Sequence, residues 1–73
     1  MRYDIEIPNM AHIATCDNLK DTIKALEDSQ CIKRTTVQEV LLIADSLIEH
    51  GSYVGMMAED RRHSFVIRQI PDN

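Results

Sequence analysis

The sequence predicts a small α+β domain, two helices packed on a three-stranded antiparallel sheet in the order β-α-α-β-β. Three observations predict it: polar and apolar residues alternate from Tyr3 to Ile7, a capped and periodic helix fills residues 36–50, and two strand-forming segments follow Gly51. With 73 residues there is room for a single domain spanning 1–73. A fold of this size buries only about 60% of the surface its unfolded chain exposes, so its core has little to spare.

In the first strand Tyr3, Ile5 and Ile7 share one face, while Arg2, Asp4 and Glu6 share the other. Pro8 ends it. Residues 9–15 have no clean period and read as a loop that packs through Met10, Ile13 and Ala14. Asp17 is placed to cap a first helix, with Leu19, Thr22, Ile23 and Leu26 as its apolar stripe and Lys20, Asp21, Lys24, Glu27 and Asp28 on its wet side.

The second helix carries the strongest local signals. A capping box is available as Thr35 with Gln38 or as Thr36 with Glu39, and Gly51 supplies the left-handed residue that closes it. Val37, Val40, Leu41, Ala44, Leu47 and Ile48 recur at spacings of three and four and form the expected core stripe. Ile43 then falls on the flank, and Leu42 falls among Gln38, Asp45, Ser46 and Glu49. Beyond Gly51, residues 53–58 and 63–70 form a hairpin around the polar tetrad Glu59-Asp60-Arg61-Arg62. Phe65 and Ile67 point one way, Val66 and Ile70 the other, so this hairpin calls for cover on both sides.

Composition narrows the function classes. Twelve acidic against 8 basic side chains leave a formal charge of −4, so a nucleic-acid role needs the few cations gathered locally. The longest apolar run, Val40 to Ala44, is far short of the roughly 20 residues of a membrane span. The N-terminus lacks the apolar core of a signal peptide, which together with two unframed cysteines, Cys16 and Cys31, predicts a cytoplasmic protein with reduced thiols. His12 and Cys16 have a spacing that suits two metal ligands, with Cys31, His50 and His63 as the only other candidates. No C-x-x-C pair supports them, and no metal or cofactor is expected. His63 beside Arg61 and Arg62, with Asp60 and Ser64 near, offers the parts of an acid–base site. On a regular strand, however, His63 and Ser64 face opposite ways. Phosphate loops and nucleophile motifs are missing, so neither an enzyme nor a small-molecule substrate is expected.

Residues 35–70 resemble the recognition helix and wing of winged-helix regulators of the multiple-antibiotic-resistance type. The resemblance rests on Thr35-Thr36-Val37, a helix ending Leu47-Ile48-Glu49-His50-Gly51, then Tyr53-Val54, and Asp60-Arg61-Arg62 before an apolar strand. It implies a dimeric DNA-binding regulator with a winged-helix-like variant of the fold. Arg61 and Arg62 would be the wing cations, joined on phosphates by Lys33 and Arg34. Against it, the helix would offer DNA Gln38, Glu39, Leu42, Asp45, Ser46 and Glu49, acids where phosphates and guanine edges need donors.

The preferred expectation is a small non-enzymatic protein–protein interaction module that binds and regulates or inhibits another protein. An inhibitor or anti-defence factor encoded by a phage or mobile element is one setting. The partner is another protein or a second copy of the chain. The residues expected to meet it are Leu42, Ile43, Met56 and Met57, since Met side chains adapt to partner surfaces.

Overall fold

The computed structural model describes residues 1–33, 35–58 and 62–71. Its elements run β1 (Arg2–Ile7), β2 (Ala11–Cys16), α1 (Leu19–Asp28), α2 (Val37–His50), β3 (Ser52–Met56) and β4 (Ser64–Ile70). The α+β class is as expected, but the sheet has four strands, in the order β2-β1-β4-β3 with every neighbouring pair antiparallel. Arg2 pairs with Ile70 at one end of the central β1–β4 ladder, and Glu6 pairs with Val66 at the other.

The extra strand is β2, in the stretch expected to be a loop. Pro8-Asn9 turns the chain: Asn9 has φ +64°, and the Met10 N–H donates to the Ile7 carbonyl at 3.0 Å, the pattern of a type II turn with Pro first and a left-handed residue second. β2 then breaks the period-two rule. Ile5 pairs with Ala14 but Glu6 pairs with His12, which leaves Ile13 as the extra residue of a β-bulge. The bulge lets Ile13 pack against the core and moves His12 to the same face as Thr15.

Helix ends are set by side chains and by left-handed residues. Asn18, rather than Asp17, caps α1 by accepting from the Asp21 N–H at 2.8 Å. At its other end Cys31 N–H donates to Leu26 O and Gln30 N–H to Glu27 O, a Schellman closure with Gln30 at φ +63°. In α2 the Thr36 hydroxyl accepts from the Glu39 N–H at 3.1 Å, and Gly51 at φ +73° ends the helix, as expected.

The core lies between the helices and one sheet face. Ile5, Phe65 and Ile67 meet Leu26, Cys31, Ile43 and Leu47, with Tyr3, Ala14, Ile23 and Tyr53 around them. Thr22 is buried among them, and its hydroxyl donates to the Asn18 carbonyl at 2.8 Å, so no polar group is stranded there. Gly55 lies opposite Phe65, whose ring occupies the place of the missing side chain; a Cβ there would sit 2.6 Å from Phe65 Cζ.

Two expectations about packing are corrected. The β3–β4 hairpin has cover on one side only; among the described residues no layer lies over the face carrying Arg2, Asp4, Glu6, Val66 and Arg68. Val66 is nonetheless buried, flanked in its row by Glu6 and Val54. The roll of α2 also differs. Ile43 and Leu47 are its buried residues, whereas Val37, Leu41 and Ile48 of the expected stripe are 77, 57 and 79% exposed. The reason lies at the C-terminal end of α2, where only Gly51 separates helix from strand. There the Ser46 hydroxyl donates to the Ser52 carbonyl at 2.7 Å, and the Gln69 N–H donates to the Gly51 carbonyl at 2.8 Å. These bonds hold Ser46, and with it Ile43 and Leu47, toward the sheet.

Candidate interaction surfaces

The roll of α2 leaves a second apolar stripe. Val37, Leu41, Ala44 and Ile48 follow a 4-3-4 spacing, the seam pattern by which one helix packs against another, about 110° around the helix from its core face. Gln38, Leu42, Asp45 and Glu49 are exposed further round, so α2 presents a core face, an apolar stripe and an acidic flank with Leu42 in its middle.

Beside the stripe runs a groove. The two helices contact the sheet far more than each other, α1 lying over β1 and β2 and α2 over β3 and β4. Between them opens a space of about 780 Å³ lined by Leu19, Ile23, Lys20, Lys24 and Glu27 of α1 and by Val40 of α2. Asp21, also on this wall, accepts from the Asn18 amide at 3.1 Å, and Glu27 accepts from the Thr35 N–H at 3.4 Å.

A third apolar surface lies on the sheet. β3 is an edge strand, and Val54 and Met56 project from its uncovered face, both exposed. Ser52 to Met56 contains no charge, so β3 lacks the usual guard against pairing with another strand. Of the residues expected to meet a partner, Leu42 and Met56 are exposed on different layers. Met57 is half-buried against the core, and Ile43 is 1% exposed and belongs to the core itself. Ile43 is therefore withdrawn from the partner surface. Reading the helix period alone missed Val37, Leu41 and Ile48, because the same spacing that marks a core stripe also marks an interhelical seam.

The bulge in β2 builds a polar cluster on the uncovered face. Thr15 Oγ1 donates to Asp4 Oδ1 at 2.6 Å, and His12 Nε2 lies 2.8 Å from Asp4 Oδ1 and 3.1 Å from Thr15 Oγ1. The Thr15 hydroxyl, and after it the His12 imidazole, hold the Asp4 carboxyl below its ordinary value. A hydroxyl–imidazole–carboxylate relay needs the hydroxyl on one ring nitrogen and the carboxylate on the other. Here both share Nε2, and the hydroxyl proton goes to the carboxylate, so the cluster cannot activate Thr15 as a nucleophile. It ties β1 to β2. Nearby Arg68 Nη1 meets Glu6 Oε1 at 2.7 Å on the same face.

His12 and Cys16 do not converge on a metal, because the bulge sends His12 to the uncovered face while Cys16 pairs with Tyr3 on the core side. Among the described residues no three His, Cys, Asp or Glu side chains are grouped to hold an ion. Cys31 is buried, Cys16 is half-buried, and both are free thiols. Of the candidate phosphate contacts, Lys33 and Arg62 are exposed, and Arg34 and Arg61 lie outside the described residues. The Ala58 N–H donates to the Cys31 carbonyl at 2.9 Å, which sets Cys31, just after α1, beside Ala58, just after β3. No described helix is long and apolar enough to cross a membrane.

Fold and surfaces together define a two-layer α+β domain with exposed apolar side chains on both layers. Comparisons with protein-family models, with curated proteins and with solved structures return no match.

Proposed function

We propose that this chain is a non-enzymatic interaction module that binds another protein and regulates or inhibits it. The observation that carries the reading is the uncharged edge strand β3, with Val54 and Met56 exposed on the strand that has a sheet neighbour, β4, on one side only. An extended target segment added to this edge would gain main-chain hydrogen bonds, and its side chains would meet Val54 and Met56. Small size, an acidic balance and the inert geometry of the Asp4–His12–Thr15 cluster support the same reading. They suit an inhibitor of the kind that phages and mobile elements encode.

The test is affinity capture from an extract of the source organism, using wild-type protein and a Val54→Lys, Met56→Lys variant as baits, each with and without nuclease. Wild type is expected to retain a specific protein that the variant loses while melting at the same temperature. Identical sets of captured proteins on both baits would refute the reading.

One observation favours a second reading. Lys33 and Arg62 stand on neighbouring segments, joined by the Ala58–Cys31 bond, and would form the start of a phosphate-binding end for a winged-helix-like regulator. That reading predicts a nuclease-sensitive capture and a duplex shift at low salt that Lys33→Ala with Arg62→Ala weakens. Absence of any shift removes it.

A further inference from the structure

The hydrogen-bond phase of β3 decides what its open side can hold. The Gln69 N–H donates to the Gly51 carbonyl at 2.8 Å and the Met57 N–H to the His63 carbonyl at 3.0 Å, one bond at each end of the β3–β4 ladder. Bonded and non-bonded pairs alternate along an antiparallel ladder, so Tyr53 and Gly55 turn their N–H and C=O groups to β4, while Ser52, Val54 and Met56 turn theirs away. On that side β3 has no sheet neighbour among the described residues. The Ser52 carbonyl is taken by the Ser46 hydroxyl at 2.7 Å, so the groups offered to a further strand are those of Val54 and Met56.

The same bond fixes what overhangs the edge. Because Ser46 reaches a carbonyl turned away from β4, its flank of α2 lies over the open side of β3. On the helix wheel Glu39, Leu42 and Glu49 fall within about 60° of Ser46, and Asp45 about 100° away. Leu42, Asp45 and Glu49 are exposed, and Glu39 is half-buried. α2 contains no Lys or Arg, so the overhang is acidic throughout, relieved only by an exposed 3.6 Å contact between Glu49 and His50.

We infer that the strand received on this edge is a segment of another protein in which apolar residues alternate with Lys or Arg. The inference rests on the β3 reading and adds the chemistry of the target. An antiparallel segment bonded to Met56 and Val54 sets its residues opposite those two on the uncovered sheet face, where apolar side chains meet them. Its intervening residues, opposite Gly55 and Tyr53, turn to the helix side beneath the overhang. There a Lys or Arg lays its aliphatic stem along Leu42 and brings its cation to Glu39, Asp45 or Glu49. A second copy of the chain does not fit this description. Paired through β3, which carries no cation, it would set one acidic overhang against the other.

The experiment follows the backbone amide signals of the isotope-labelled full chain by NMR at low salt, during titration with two short peptides, one alternating Val with Lys and one alternating Val with Glu. The Val–Lys peptide is expected to shift the Val54 and Met56 amides and slow their exchange with solvent, at about tenfold lower concentration than the Val–Glu peptide. Asp45→Lys with Glu49→Lys should reverse that order. Both positions are exposed, and a Lys in the last turn suits the helix dipole, so the circular dichroism spectrum should not change. Equal responses to the two peptides, an order that the double variant leaves unchanged, or no shift at Val54 and Met56 would each overturn the inference. A sedimentation-equilibrium dimer that Val54→Lys with Met56→Lys abolishes would assign the edge to a second copy and overturn it too. The β3 reading is decided separately, by whether that same variant loses the captured protein, whatever the target's charge.

Discussion

Gly55→Ala tests how the sheet accommodates Phe65. The added methyl would lie 2.6 Å from Phe65 Cζ, 2.9 Å from Cε1 and 3.1 Å from Tyr53 Cε2. Carbon atoms pack at about 3.5–4.0 Å, so ring and strand must part by roughly 1 Å. Phe65 is 1% exposed and lies in the same core as Ile67 and Leu47, so the ring has no solvent to retreat into. Overpacking of this kind costs about 1–3 kcal/mol, against which Ala regains about 0.5–1 kcal/mol over Gly in strand entropy. The expected net loss is about 1–2 kcal/mol, a large share of the roughly 4–10 kcal/mol that a domain of this length has. Urea unfolding should show a lower midpoint at unchanged slope, with the melting temperature down by about 4–8 °C per kcal/mol. In the double variant Phe65→Leu should absorb much of the penalty, since the shorter side chain vacates the contested volume. A Gly55→Ala protein as stable as wild type, or strict additivity with Phe65→Leu, would show that the close approach is not what glycine serves.

Other perturbations separate the causes proposed above. Ile43→Ala should cost about 2–5 kcal/mol in urea unfolding and Leu41→Ala less than about 0.5 kcal/mol, the reverse of what the expected core stripe, which held Leu41 and left Ile43 on the flank, implies. Two left-handed residues should respond with opposite signs. Gly51→Ala should destabilise by about 1 kcal/mol through backbone strain alone, since nothing lies within 4 Å of its added Cβ, whereas Gln30→Gly should stabilise by about 0.5–1 kcal/mol. Asp4 makes stability depend on acid. Its folded pKa is depressed, so its contribution is fully present above the unfolded value near 3.8 and is lost as pH falls through the folded one. Asp4→Asn should therefore lower the urea midpoint at pH 5 and converge on wild type in strong acid; a constant difference across that range would refute the linkage.

Much of this is legible in the sequence. Thr36, Glu39 and Gly51 marked α2 because capping chemistry is local, and the Tyr3–Ile5–Ile7 alternation marked β1 because a half-buried strand writes its pleat into the sequence. Two features were not. β2 is hidden by its bulge, since one extra residue at Ile13 cancels the period that reveals strands; the Pro8-Asn9 pair was the available signal, as a turn rather than an end. The roll of α2 was misjudged because Val37, Leu41 and Ile48 satisfy the same period as a core stripe. What decides the roll is the Ser46–Ser52 bond across a single-residue connection, a tertiary fact without a local imprint. The candidate surfaces inherit this difficulty: Leu42 stands out in the sequence as an apolar residue on a polar face, whereas the exposure of Leu41 and its neighbours follows only from Ile43 taking the core position.

The central pairing of β1 with β4 has a kinetic consequence. Each hairpin, with the helix beside it, can form from local contacts, but the ladder from Arg2 with Ile70 to Glu6 with Val66 joins residues from opposite ends of the described chain. Closing that ladder carries the largest loop entropy in the molecule, and two-state domains rich in such distant contacts fold more slowly than helical ones of equal size. The two halves should therefore gain helix early and assemble late, with Ile5 and Ile67, paired at the seam, as positions where truncation slows folding most.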